Sequence, residues 1–125
     1  VAIAAFQERI LPQYSGTPIK ISWDTEYAPV IATLRPEVNL AIFRILQEAI
    51  ANAVRHGKAN RVHILVRPSK CRNVTASIWI LDNGTAAGLF APGFGMRNMQ
   101  RRAEKIYGNV YFRLHKDGSA VLLNI

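Results

Sequence analysis

The sequence predicts an α/β two-layer sandwich, a mixed β-sheet with its helices gathered on one face. Apolar residues recur at helical spacing in three stretches and alternate along four others; with a last strand over 120–125 the order is helix, strand, helix, strand, strand, helix, strand, strand. Elements in that order pack as one helical layer on one sheet. With 125 residues, half of them hydrophobic, the chain is expected to be a single domain with its own core.

Ile3, Phe6 and Ile10 mark a short packing helix over 1–11, which Pro12 is expected to stop. Ser15-Gly16 reads as a turn, and Ile19, Ile21 and Trp23 alternate with Lys20 and Ser22 as a first strand. Residues 24–34, which include Pro29 and show no period, read as a connection. Pro36 then opens a long helix running to about Gly57; its missing N–H costs nothing in the first turn, and Glu37 complements the dipole. Val62, Ile64 and Val66 mark a second strand that Pro68 ends. The third, over 74–81, has Ala76, Ile78 and Ile80 on one face and leads into Asp82-Asn83-Gly84. Beyond a loop with Gly88, Pro92, Gly93 and Gly95, a helix begins near Met96. Met96, Met99, Ala103 and Ile106 are its apolar stripe and Gly108 its expected stop. Val110, Phe112 and Leu114 give a fourth strand, Asp117-Gly118 a hairpin turn, and 120–125 a fifth strand.

Composition narrows the function classes. A single cysteine, Cys71, excludes an internal disulfide and a multi-cysteine zinc site, and fits a reducing compartment. No apolar run approaches the roughly 20 residues that span a bilayer, so a soluble, cytoplasmic domain is expected. The chain begins at Val1 rather than Met, so the expectation is a piece of a longer protein whose other parts could include an anchor in the cell membrane. The net charge of +8 favours anionic partners. The basic residues are scattered, apart from Arg97, Arg101, Arg102 and Lys105 on one helix. Nothing reads as a helix-turn-helix or zinc finger, so direct DNA binding is not expected.

The chemistry concentrates in three blocks. Glu48, Asn52 and His56 recur every four residues and stack along one flank of the long helix, with Arg55 beside them. At 100° per residue Arg44, Gln47, Glu48 and Arg55 fall on one side, and Ile42, Ile45, Leu46, Ala49 and Ala53 on the other. Asn52 lies on the border and His56 turns towards the apolar sector. Taken singly, each has an ordinary structural reading: a solvated charge, a surface amide, a core histidine. Together they suit a ligand that is partly enclosed. In the second block Asp82 closes an apolar strand; an acceptor there can take a hydrogen bond from an exocyclic amine such as adenine's, and Gly84 lets a planar ring approach the backbone. In the third, Gly93-Phe94-Gly95-Met96 leads into a helix start, whose free N–H groups and positive dipole end suit a phosphate chain.

Glu48-x-x-x-Asn52 followed by Arg55-His56 resembles the N box of sensor histidine kinases, in the GHKL superfamily shared with gyrase, a heat-shock chaperone and mismatch-repair ATPases. Phe43-Arg44-Ile45-Leu46-Gln47-Glu48-Ala49 is similar to the nitrate/nitrite-sensor subgroup. The run from Gly93 to Met99, continued by Gln100-Arg101-Arg102-Ala103, is similar to the family's second glycine box, and Gly118-Ser119 resembles the Gly-Thr that closes its nucleotide pocket. The blocks stand in the family's order and, with the strands between them, cover most of the chain.

The resemblance implies a Bergerat-type ATP-binding fold, the C-terminal catalytic domain of a two-component kinase. It would pass the γ-phosphoryl of ATP to a histidine on a separate dimerisation domain, in a homodimeric parent that signals to a response regulator. ATP and Mg2+ are the implied cofactors. On these positions Asp82 would hold the adenine amine with Gly84 and Ser119 beside it, Asn52 would bind magnesium, and Glu48 would orient or activate the attacking group. Arg55, His56 and Lys58 would contact phosphates, Gly93 and Gly95 would shape a lid hinge, and the backbone from Phe94 to Met96 would hold phosphate oxygens. None of His56, His63 and His115 stands in the His-Asp or His-Glu context of a phosphoacceptor, so the acceptor is expected elsewhere.

One position departs from the pattern. Ala86 fills the second glycine of the first glycine box, and if φ is positive there alanine is strained by about 1 kcal/mol. Two alternatives stay open. An anti-sigma-factor-type kinase of the same superfamily would phosphorylate a partner's serine; the string from Arg44 to Ala49 argues against it. A degenerate nucleotide-binding or interaction domain finds its support in Ala86.

Overall fold

The computed structural model describes residues 2–24, 26–70, 72–85 and 95–125. Helix α1 (Ala2–Ile10) passes directly into a 3-10 turn (Leu11–Tyr14). The α-helix stops ahead of Pro12, as expected, and Pro12 itself sits in the first turn of the tighter helix, where no N–H is needed. Strand β1 (Lys20–Asp24) follows. The supposed connection after it contains a short helix, α2 (Ala28–Ala32). Pro29 presets φ in its first turn, and Ile31, fully buried, anchors it; one turn is too short for a period to show. Helix α3 (Pro36–Arg55) starts on Pro36 and buries Val38, Ile42, Ile45, Leu46, Ala49, Ile50 and Ala53 on one side.

Strands β2 (Arg61–Pro68) and β3 (Ala76–Asp82) come next, then α4 (Gly95–Lys105), β4 (Asn109–His115) and β5 (Gly118–Asn124). The sheet order is β1-β2-β3-β5-β4. β1 and β2 are parallel, which requires the long crossover that α2 and α3 supply; the other pairs are antiparallel. Val62, Ile64, Val66, Ile78, Ile80, Val121 and Leu123 form the face that packs on α3 and on Met99 and Ala103 of α4. Each large side chain there contributes about 1.5–3 kcal/mol by leaving water. The opposite face carries an in-register row, Leu65, Trp79, Leu122 and Tyr111, with Tyr111 exposed.

Two local expectations are corrected. Gly108 does not take the left-handed position after α4; Tyr107 does, at φ 59°. The N–H of Gly108 donates to the Ala103 carbonyl at 2.8 Å and that of Tyr107 to Glu104 at 3.1 Å, a Schellman closure. Gly108 is bare because a Cβ there would come within 2.6 Å of the Asn124 carbonyl oxygen on β5. The hairpin turn is likewise Lys116–Asp117 and not Asp117–Gly118, since His115 pairs with Gly118. A Cβ on Gly118 would overlap the Asp82 carbonyl, so this glycine serves close packing against the end of β3. Because β5 inserts between β3 and β4, that hairpin places Ser119 directly opposite Asp82.

Candidate functional site

Two of the three blocks are in contact. Glu48 is half-buried on α3 and Asn52 is 9% exposed, at the border the helical period assigns to it. The first residue of α4 lies on them: a Cβ on Gly95 would fall 2.5 Å from Glu48 Oε1 and 2.7 Å from Asn52 Nδ2. Only glycine allows that approach. The start of α4 therefore brings its first-turn N–H groups and the positive end of its dipole to Glu48 and Asn52. A carboxylate, an amide and the N–H end of a helix meet there, groups whose chemistry suits anionic oxygens and a cation among them. Met96, half-buried, stands in the same first turn. Gly93 and Phe94 of this block, and Ala86, lie outside the described residues.

The second block sits at the end of β3. Asp82 is half-buried, in register with Val62 and with Ser119, so it points to the helix-covered face. Its Oδ1 accepts the Gly84 N–H at 2.7 Å, and among the described residues no donor reaches its second oxygen. Burial pushes this carboxyl above the usual carboxylate range, and the Gly84 N–H offsets that only in part. A desolvated acceptor with one oxygen to spare favours an incoming N–H donor. Ser119 is 3% exposed and its hydroxyl donates to the Thr85 carbonyl at 3.5 Å.

Gly84 is bare for a different reason than the sequence suggests. A Cβ there would lie 2.6 Å from the Gly57 carbonyl oxygen, and that same oxygen accepts the Thr85 N–H at 2.8 Å. The space left by the missing side chain is used by the loop leaving α3, not left open to a planar ring.

Asn83 is the residue that sequence reasoning passed over. Its Oδ1 accepts the N–H groups of Asn60 at 3.1 Å and Arg61 at 3.0 Å, and its Nδ2 donates to Asn60 Oδ1 at 2.7 Å. Its own N–H donates to the Arg61 carbonyl at 3.3 Å. These bonds fasten the turn that carries Asp82 to the chain emerging from α3, and so fix Asp82 relative to Asn52. Within Asp-Asn-Gly the asparagine passes for an ordinary turn former; its partners lie in a stretch with no periodic signal of its own.

The remaining residues surround the end of α3. His56 caps it, half-buried, with its N–H on the Asn52 carbonyl at 3.0 Å. Arg55 is exposed, and its charge acts on the Tyr14 phenol, whose pKa burial raises and the arginine partly restores. Lys58, exposed at φ 56°, lines a cavity of about 460 Å³ with Gly57, Gly84, Thr85 and the β4–β5 turn. Among the described residues no side-chain hydrogen bond or ion pair joins these three to Glu48, Asn52 or Asp82. No described helix is long and apolar enough to cross a membrane.

No family model matches the chain. The sensor histidine kinase YxjM of Bacillus subtilis is 36% identical over 77 residues, which are 62% of this chain and 18% of that protein. A second sensor histidine kinase of B. subtilis, LnrJ, is 33% identical over 101 residues, 81% of this chain and 23% of the relative. The chain thus spans about a fifth of the length of these curated relatives. The ATP-binding domain of PrrB from Mycobacterium tuberculosis matches 98% of this chain and 88% of its own, with a TM-score of 0.69 at 19% identity. The homologues are sensor histidine kinases, and the fold is that of histidine kinase catalytic domains.

Proposed function

We propose that this chain is the ATP-binding catalytic domain of a sensor histidine kinase, a single domain of a longer protein that passes the γ-phosphoryl of ATP to a histidine on a separate dimerisation domain. The observation that carries the proposal is the seat of Gly95 on Glu48 and Asn52, which joins a carboxylate and an amide to the N–H groups of a helix start. Asp82 accepts the adenine amine on its spare oxygen, with Gly84 and Ser119 beside it. The backbone from Phe94 to Met96 holds phosphate oxygens, Gly93 and Gly95 shape the hinge, and Arg55, His56 and Lys58 supply positive charge near the end of α3. Glu48 orients the attacking imidazole.

The donor set also fits magnesium. Among the described residues no group of three or more His, Cys, Asp or Glu could hold a metal ion, so this is no all-protein cage. Magnesium binds through few protein oxygens and takes the rest from phosphates and water, and Asn52 is the ligand offered here. When bound with ATP it neutralises phosphate charge. The protein's own contribution is positioning and preorganised donors. The string from Phe43 to Ala49 supports the nitrate/nitrite-sensor-like subgroup, and with it a homodimeric, membrane-anchored parent that signals to a response regulator.

The test is incubation with γ-labelled ATP and magnesium, with and without the cognate histidine-bearing domain, followed by acid treatment. Label is expected on the added domain alone and should be lost in acid, as a phosphoramidate is. Acid-stable label on this chain, or on a partner's serine, would replace the assignment with the anti-sigma-factor type.

A further inference from the structure

Between the first half of α3 and the last turn of α4 runs a groove with an aliphatic floor, Leu40, Ala41 and Ile106, and a cationic rim, Arg44, Arg102 and Lys105. Its volume is about 240 Å³, room for side chains but not for a whole helix. Leu40 is 48% exposed, off the side of α3 that meets the sheet. It also forms one wall of a wider groove of about 670 Å³ that carries Phe6, Phe43 and Arg9, so the apolar surface continues across α3. Arg102 and Lys105 complement the dipole at the end of α4, but Arg44 lies in the middle of α3 and has no such reason to be there. Among the described residues no ion pair joins any of the three to a carboxylate. The one acid on the lip, Glu37, is 3.4 Å from Arg35.

We propose that this groove docks an acidic amphipathic helix of a partner protein. Apolar side chains on one face of that helix would fill the floor, and flanking carboxylates would meet the three cations. A second copy of this chain fits poorly, because each copy carries +8 and would bring a cationic rim to a cationic surface. Single-stranded nucleic acid fits poorly too, because the floor has no planar ring on which a base could stack.

The probe is a fluorescent helical peptide with leucines on one face and glutamates on the others, titrated against the 125-residue chain by anisotropy and mapped by amide chemical shifts. Saturable binding is expected, with the largest shifts around Leu40, Arg44, Arg102 and Ile106. Arg44→Glu and Arg102→Glu should each weaken it by roughly tenfold, and Leu40→Ala by roughly fivefold, with melting temperatures unchanged. A peptide of the same composition with its leucines scattered should bind at least about tenfold more weakly, and a lysine version should not bind. Equal binding by the scattered peptide, or affinities that the three substitutions leave unchanged, would overturn the proposal. So would a single-stranded oligonucleotide that shifts the same amides more strongly, or a dimer in sedimentation that Arg44→Glu dissolves.

Discussion

Gly95→Ala tests the contact on which the site is built. The new Cβ would lie 2.5 Å from Glu48 Oε1 and 2.7 Å from Asn52 Nδ2, both well inside ordinary contact. The two neighbours differ in how they can yield. Glu48 is half-buried and ends in a flexible carboxylate that can swing aside, whereas Asn52 is short and 9% exposed, so it moves only by leaving its place or by lifting the first turn of α4. Overpacking of this kind costs about 1–3 kcal/mol, and alanine's better helix propensity returns less than about 1 kcal/mol at a helix start. The net loss expected in urea unfolding is therefore about 1–2 kcal/mol, a fall of several degrees in Tm. Magnesium-ATP affinity, followed by calorimetry, should fall by at least roughly tenfold, because Asn52 and the N–H groups of α4 lose their common geometry. In an Asn52→Ala background the added methyl finds room, and the stability cost of Gly95→Ala should shrink by more than half; a Glu48→Ala background should relieve it much less. An unmoved unfolding midpoint with unchanged nucleotide affinity would refute the reasoning, as would the same cost in the Asn52→Ala background.

What the sequence disclosed and what it withheld divide along a physical line. The faces of α3 and of β2 and β3 are legible because a period of 3.6 or 2 fixes which side chains turn inward, whatever the chain later packs against; on β4 the same alternation holds for Val110 and Phe112 but leaves Leu114 exposed. Asn52 on the border and Asp82 beyond Ile78 and Ile80 follow from those periods alone. Three glycines stand out in the sequence, but for a reason that it does not show. Gly108 and Gly118 suggest local chain geometry and Gly84 suggests room for a planar ring, but each is bare because a distant carbonyl approaches it, from Asn124, Asp82 and Gly57 respectively. Sequence neighbours say nothing about such a partner. Asn83 escaped notice on the same ground, since its partners Asn60 and Arg61 come near only after β2 and β3 have paired. The position after α4 shows the converse: with Gly108 committed to β5, the left-handed residue had to be Tyr107.

The other predictions follow from single groups. Asn83→Ala removes three side-chain hydrogen bonds, two of them to backbone N–H groups, and should cost about 1–3 kcal/mol in urea unfolding while weakening ATP more than free triphosphate; equal weakening of both would deny it a role in placing Asp82. Tyr107→Gly should raise the unfolding free energy by about 0.5–1 kcal/mol, because Tyr107 is 92% exposed and held at φ 59°, where a side chain costs more than glycine's added chain entropy. For Asp82 the consequence is a pH dependence whose sign can be worked out. Burial raises its pKa in the folded protein, so the native state binds a proton more readily than the unfolded chain does. Its contribution to the stability of the free protein is fully present below the ordinary carboxylate value near 4 and is lost as pH rises through the raised value. Nucleotide binding should run the other way. The ionised carboxylate is the stronger acceptor for the adenine amine, so ATP affinity should increase over that same interval, with proton release visible as a buffer-dependent binding heat. Asp82→Asn should abolish both trends and lower ATP affinity by at least roughly tenfold, since the amide can present a donor where an acceptor is needed. Parallel pH profiles for the two proteins would show that Asp82 neither titrates in this interval nor reads adenine.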